Sequence, residues 1–148
     1  MKRILYFLAA MSLIFVCSPL YAATTTVYNE MEPADLKVLL DTKQPVILVD
    51  IQKKNAYKEH HFYGSIRTFA YPAKTDSDKH SLVQAVTMYE TNQNKVVIVG
   101  PRGGRASKRS YDFLAGKGIP EESLFILKGG IKKWPYKEML LNIKGGCK

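Results

Sequence analysis

Apolar residues along this chain fall into two spacings. Three short continuous runs, "VILVD" at 46–50, "KVVIVG" at 95–100 and "SLFILKGG" at 123–130, are dominated by Val, Ile and Leu. Runs of that length without polar alternation predict strands covered on both faces, as in a parallel sheet. The segments between them carry apolar residues three and four apart. Pro33, just after Glu32, suits the first position of a helix whose inward residues are Leu36, Leu39 and Leu40. Ser81 is placed to cap a second helix bearing Leu82, Ala85, Val86 and Tyr89. A third spans 106–115, with Tyr111 and Leu114 inward, Lys108 and Arg109 outward, and Gly116 and Gly118 at its end. "SIRTFAYP" at 65–72 reads as another short strand and "AKTDSDKH" at 73–80 as a polar loop. Strands alternating with helices predict an α/β fold with a mainly parallel sheet.

The first residues follow a different pattern. Lys2 and Arg3 precede an apolar run over 4–16, and small residues follow in "LYAA". That is the layout of a secretory signal peptide, with cleavage expected after Ala22. The run is shorter than the roughly 20 residues that span a bilayer, which argues against a retained anchor. The residues before Cys17 lack the small side chains of a lipoprotein cut. The expected product is a periplasmic or secreted chain with no stable membrane span. Removing the leader lowers the formal charge from +9 to +7. A basic surface attracts polyanions, but nucleic acid is not an expected partner outside the cytoplasm.

Export also changes the meaning of the cysteines. Cys17 leaves with the leader, and Cys147 in "IKGGCK" stays alone near the C-terminus. The mature monomer has no internal disulfide. An odd thiol points to a mixed disulfide, a Cys147-linked dimer or a free reactive group.

The candidate chemistry lies in "GPRGGRAS" at 100–107, between an apolar strand and a helical pattern. In a parallel α/β sheet, ligands bind outside the carboxyl ends of the strands. A glycine-rich loop opening a helix aims N–H groups at one spot and adds the positive end of the helix dipole. Arg102 and Arg105 can supply charge and paired donors to an oxyanion. A tight turn with solvated arginines is the alternative. Neither the mononucleotide nor the dinucleotide phosphate-loop pattern fits these glycines. His60 and His61 are adjacent and point apart in an extended segment, so no metal site is expected. The sequence implies no cofactor.

Several strings resemble the signatures of rhodanese-like domains. In "VILVDIQKKNAYKEHHFYGSI", Asp50, Tyr57, His61, Gly64 and Ile66 match the first signature, and Gln52 stands where arginine is usual. In "LFILKGGIKKWP", Gly129, Gly130, Ile131 and Trp134 match the late one, and Lys128 replaces the usual aspartate. The resemblance implies a five-stranded mainly parallel sheet with helices on both faces. Together with the leader at 1–22, it divides the chain into a lead-in at 23–31, the domain at 32–138 and a tail at 139–148. It also implies an active-site loop after the strand at 95–99. Active members carry a cysteine there that holds a sulfane sulfur as a persulfide.

In this chain the nucleophile's position holds Gly100. Glycine has no side chain to bear the sulfur, and Pro101 removes one backbone donor. The resemblance implies structural roles for Asp50 and His61, and a core position for Trp134. The expectation is therefore a domain inactive as a sulfurtransferase, binding a small oxyanion or an exported protein through Arg102, Gly103, Gly104 and Arg105. The competing expectations are a sulfurtransferase that uses Cys147, or a redox-tethered subunit of an envelope complex.

Overall fold

The computed structural model describes residues 27–142. The expected signal peptide, its cleavage point and Cys147 lie outside these residues. The main sheet has five strands: β1 (Glu30–Met31), β2 (Val46–Asp50), β4 (Ile66–Arg67), β5 (Lys95–Val99) and β6 (Leu124–Leu127). Their spatial order is β1-β6-β5-β2-β4, and every pairing is parallel. This is the α/β fold that the resemblance implies. Five helices accompany the sheet: α1 (Pro33–Asp41), α2 (Lys54–Glu59), α3 (Asp76–His80), α4 (Val83–Asn92) and α5 (Arg105–Gly116). A small antiparallel pair, β3 (His61–Phe62) with β7 (Leu140–Leu141), stands beside it. Among the described residues no helix is long and apolar enough to cross a membrane.

The uninterrupted apolar runs have a direct cause. Successive side chains of a strand leave opposite faces, and here both faces are covered. Ile47, Val49, Val96 and Ile98 pack with Ala85, Tyr89, Tyr111 and Leu114 of α4 and α5. Leu48, Val97 and Val99 pack on the other face with Leu36 of α1, Phe62, Ile131 and Trp134. Trp134 is fully buried, edge-on to Phe62 at 4.8 Å between centroids, and its indole N–H donates to the Tyr136 carbonyl at 2.7 Å.

Some local expectations differ from the structure. Residues 73–80 are not all loop: Thr75 and Asp78 cap each other's backbone amides and open the short helix α3. Thr-x-x-Asp is a capping-box pattern, a local signal that outweighs the polar composition. Ser81 does not cap the next helix; its hydroxyl donates to the Asp78 carbonyl at the end of α3, and Leu82 stands at the N-cap of α4. Only Ile66 and Arg67 of the 65–72 segment form strand. Beyond them Thr68 binds back to the Asp50 carbonyl through both its amide and its hydroxyl, drawing the chain off the sheet. Glu30–Met31 and Leu140–Leu141, outside the expected domain limits, are paired strands.

Trp134 closes one face of the core, so truncation leaves a large cavity. Trp134→Ala is expected to lower unfolding free energy by about 3–5 kcal/mol, measured by urea denaturation followed by circular dichroism.

Candidate functional site

Strands β2, β5 and β6 end at the same edge of the sheet, which brings three chain segments together. After Val99 the chain turns through residues 100–104 and enters α5, with Gly104 at the N-cap and no side-chain cap. The first paired amide is that of Lys108, which donates to the Gly104 carbonyl at 3.1 Å. Among the described residues the amides of Arg102, Gly103, Gly104, Arg105, Ala106 and Ser107 have no acceptor. A helix always leaves its first amides unpaired; here two further loop amides precede them.

The loop is held from below by the turn after β6. Ile131 N–H donates to the Gly100 carbonyl at 3.0 Å and Lys132 N–H to the Pro101 carbonyl at 3.1 Å. The two chains approach too closely for side chains. A methyl group on Gly130 would lie 2.3 Å from the Gly100 oxygen and 2.6 Å from the Arg102 nitrogen. One on Gly103 would lie 2.8 Å from the Leu127 oxygen. Both glycines also have positive φ, +59° and +65°, a conformation that side chains disfavour. Gly129 completes the turn at φ +72°. The late signature thus sits directly behind the loop.

Gly100 is buried, and the room its side chain would need is occupied. An added Cβ would fall 2.3 Å from Ser107 Oγ. Ser107 is 1% exposed, and its hydroxyl has no hydrogen-bond partner. The serine hydroxyl therefore stands where the nucleophile's first carbon would be. It has no neighbouring base to take its proton, which a serine nucleophile requires. Its chemistry is that of a donor.

Ser107 forms part of the wall of a cavity of about 470 Å³ above the loop. Arg102, Gly104 and Arg105 line it from the loop, and Tyr71, Pro72 and Lys74 from the opposite side. Arg109 also reaches it. That side chain is not simply outward: its guanidinium donates through Nε and Nη2 to the Pro72 carbonyl, at 3.2 and 2.9 Å. All charged groups lining the cavity are cationic. Lys74, Tyr71 and Ser107 are not singled out as site residues by the sequence, which places Arg109 facing outward. Their approach depends on how residues 68–75 fold over α5; of its determinants only the capping pattern at Thr75 and Asp78 is legible beforehand.

The first signature forms a separate support. Asp50 is fully buried at the end of β2. Its Oδ1 accepts the Gln52 amide at 2.8 Å and its Oδ2 the Gln52 side chain at 3.1 Å. Gln52 Nε2 also donates to the His60 carbonyl at 2.9 Å, tying β2 to the segment that enters β3. Gln52 makes these bonds without bringing a positive charge. Burial therefore pushes the Asp50 carboxyl up to about 7, against the lowering effect of the two Gln52 bonds. His61 is buried, with Nδ1 2.8 Å from the Tyr57 carbonyl and its ring stacked on Tyr57. Gly64 takes φ +72° in the turn before β4. Asp50, His61, Gly64 and Trp134 are absent from the cavity lining, whereas Arg102, Gly104 and Arg105 are part of it. Among the described residues no group of three His, Cys, Asp or Glu side chains is placed to hold a metal.

The family model for the rhodanese-like domain matches residues 32–137, and the chain belongs to that family. Solved structures agree on the fold. The rhodanese-like domain of an Anabaena protein is 15% identical, with a TM-score of 0.59, and the match covers 82% of this chain and 85% of that one. An As-Sb reductase from Leishmania major is 17% identical, with a TM-score of 0.60 over 78% of this chain and 86% of that one. A thiosulfate sulfurtransferase from Pseudomonas aeruginosa is 18% identical, with a TM-score of 0.51 over 78% of this chain and 20% of that one. No curated protein matches the chain.

Two predictions follow from this geometry. The folded chain holds the Asp50 proton more tightly than the unfolded chain, whose carboxyl titrates near 3.8. The stability due to this group is full below about pH 4, falls as pH rises to about 7, and is flat above. The change is on the order of 4 kcal/mol at most. Asp50→Asn should flatten the stability–pH curve over that window in denaturant titrations, and Gln52→Arg should lower the pH at which the carboxyl ionises. Separately, Gly100→Cys should destabilise by about 1–3 kcal/mol through crowding against Ser107. Ser107→Ala in the same chain should recover much of that loss, a coupling that a double-mutant cycle reads directly.

Proposed function

We propose that the chain is an exported rhodanese-like domain that holds a small oxyanion non-covalently in the loop cradle and is not a sulfurtransferase. The observation that carries this reading is the donor set around the cavity. Six successive amides without acceptors open α5, and the buried Ser107 hydroxyl has no partner. Arg102, Arg105, Lys74 and Arg109 surround them, with no acidic side chain in the lining. Amides at a helix start bind anions without a nucleophile, and guanidinium groups strengthen such binding by charge-assisted hydrogen bonds. Covalent sulfur transfer needs a thiolate in the loop, and Gly100 offers none. The leader-like pattern at 1–22, with a basic start, an apolar middle and small residues at 22–23, supports export. The name of one fold relative, a thiosulfate sulfurtransferase, is in keeping with an oxyanion guest.

Calorimetric titration with sulfate, thiosulfate and phosphate tests the cradle. Saturable binding at millimolar concentrations or below is expected. Arg105→Ala and Ser107→Ala should each weaken it by roughly 5- to 100-fold, the effect of losing one charged or buried hydrogen bond. A linear response with no saturation would remove the cradle. In a thiosulfate-to-cyanide assay the wild type should match background. Turnover that disappears in Cys147→Ser would replace this reading with the terminal-thiol enzyme. Mass analysis of the mature protein should find its N-terminus at Ala23.

A further inference from the structure

We propose that a second basic cavity lies next to the oxyanion cradle, and that the two together dock an acidic segment of a partner protein. The proposal rests on the oxyanion reading of the first cavity. The second cavity, about 320 Å³, is lined by Lys54, Tyr57, Lys58, Arg67 and Phe69. Every charged group in its lining is cationic, as in the first.

The ridge between the cavities is short and rigid. Phe69 lines one and Tyr71 the other. Residues two apart along a chain are separated by about 7 Å at most. The ridge is clamped to the end of β2, with Thr68 N–H on the Asp50 carbonyl and Tyr71 N–H on the Ile51 carbonyl, both at 2.9 Å. Thr68 and Ala70 point inward and are buried, whereas Phe69 and Tyr71 are 37% and 38% exposed. Phe69 sits at φ +55°, an uncommon conformation for a bulky side chain. Strain of that kind persists where the surroundings impose it and collects at functional surfaces. The Phe69 ring stands edge-on to Tyr57, and Lys53 Nζ lies 5.5 Å from the Tyr71 ring centre.

This arrangement favours one class of occupant. Two basic hollows with aromatic walls, on either side of this one short ridge, suit a peptide with acidic groups on either side of an apolar residue. Neither lining holds a carboxylate; Glu59 beside Lys58 and Asp78, which accepts the Lys74 amide, stand outside both, and Glu30 and Asp35 line a groove at the opposite, β1 edge of the sheet. A flat basic face would suit a membrane, and a long stripe with regular spacing would suit nucleic acid. The surface is neither.

A fluorescein-labelled peptide with two glutamate pairs flanking a tyrosine is a direct probe, read by anisotropy at low salt. Its glutamine counterpart, a thymidine oligonucleotide and phosphatidylglycerol vesicles serve as comparisons. The glutamate peptide should bind saturably at micromolar concentrations, at least fivefold tighter than the glutamine form. Arg67→Ala and Phe69→Asn (asparagine tolerates positive φ) should each weaken it fivefold or more. Sulfate affinity in both variants should stay within twofold of wild type, which also shows that they fold. Arg105→Ala should weaken both ligands. Peptide binding that ignores Arg67 and Phe69, no peptide binding, or tighter capture of the oligonucleotide or vesicles would overturn the dock. Peptide binding that depends on Arg67 and Phe69 with no saturable sulfate binding would sink the oxyanion reading alone.

Discussion

Two hydrogen bonds, from the Ile131 and Lys132 amides to the Gly100 and Pro101 carbonyls, hold the loop after β5 in shape. They engage the loop's oxygens and leave its own amides unpaired. The approach needed for these bonds brings the two backbones together where a methyl group would not fit, at Gly103 and Gly130. The paired glycines of the late signature and the glycines of the loop are therefore one feature seen from two sides. The close approach adds to the positive φ of Gly103 and Gly130 as a reason for glycine there. Buried Trp134, packed on Phe62 just beyond the turn, anchors this support to the core.

Against that support, the substitution at residue 100 is local. The backbone of the loop does not depend on a cysteine side chain, because its shape comes from carbonyl contacts and glycine conformations. The space is filled by Ser107 from the first turn of α5. A thiolate gains from converging amides and a helix start because it is an anion. Those same groups remain attractive to any anion once the thiolate is absent. A cradle without a nucleophile is thus a coherent site, suited to holding a guest and not to bonding with it.

The Asp50 end of β2 shows a second consequence of a single replacement. Gln52 reaches both the carboxylate and the His60 carbonyl, so the path from β2 to β3 is preserved. A guanidinium there would add a compensating charge to a buried carboxylate. An amide adds none, and burial then dominates. Geometry is kept while the electrostatics change. The charge that is absent here is abundant at the surface of the same sheet edge, on Arg102, Arg105, Lys74, Arg67 and their neighbours.

The sequence by itself determined the strands at 46–50 and 95–99, the apolar faces of α1, α4 and α5, the family, and the glycine at the nucleophile's position. These are legible because they rest on short-range periodicity and on side chains that are present or missing at one site. Only the tertiary structure decided what surrounds the loop. Residues 68–75 are tied to the end of β2 by the Thr68 and Tyr71 amides on the Asp50 and Ile51 carbonyls, and to α5 by the Arg109 guanidinium, which donates to the Pro72 carbonyl. That path brings Tyr71 and Lys74 to the cavity and turns Arg109 inward. Ser107 filling the Gly100 space is likewise a contact between different parts of a fold. Such contacts carry no periodic mark, since the backbone groups that create them are common to every residue.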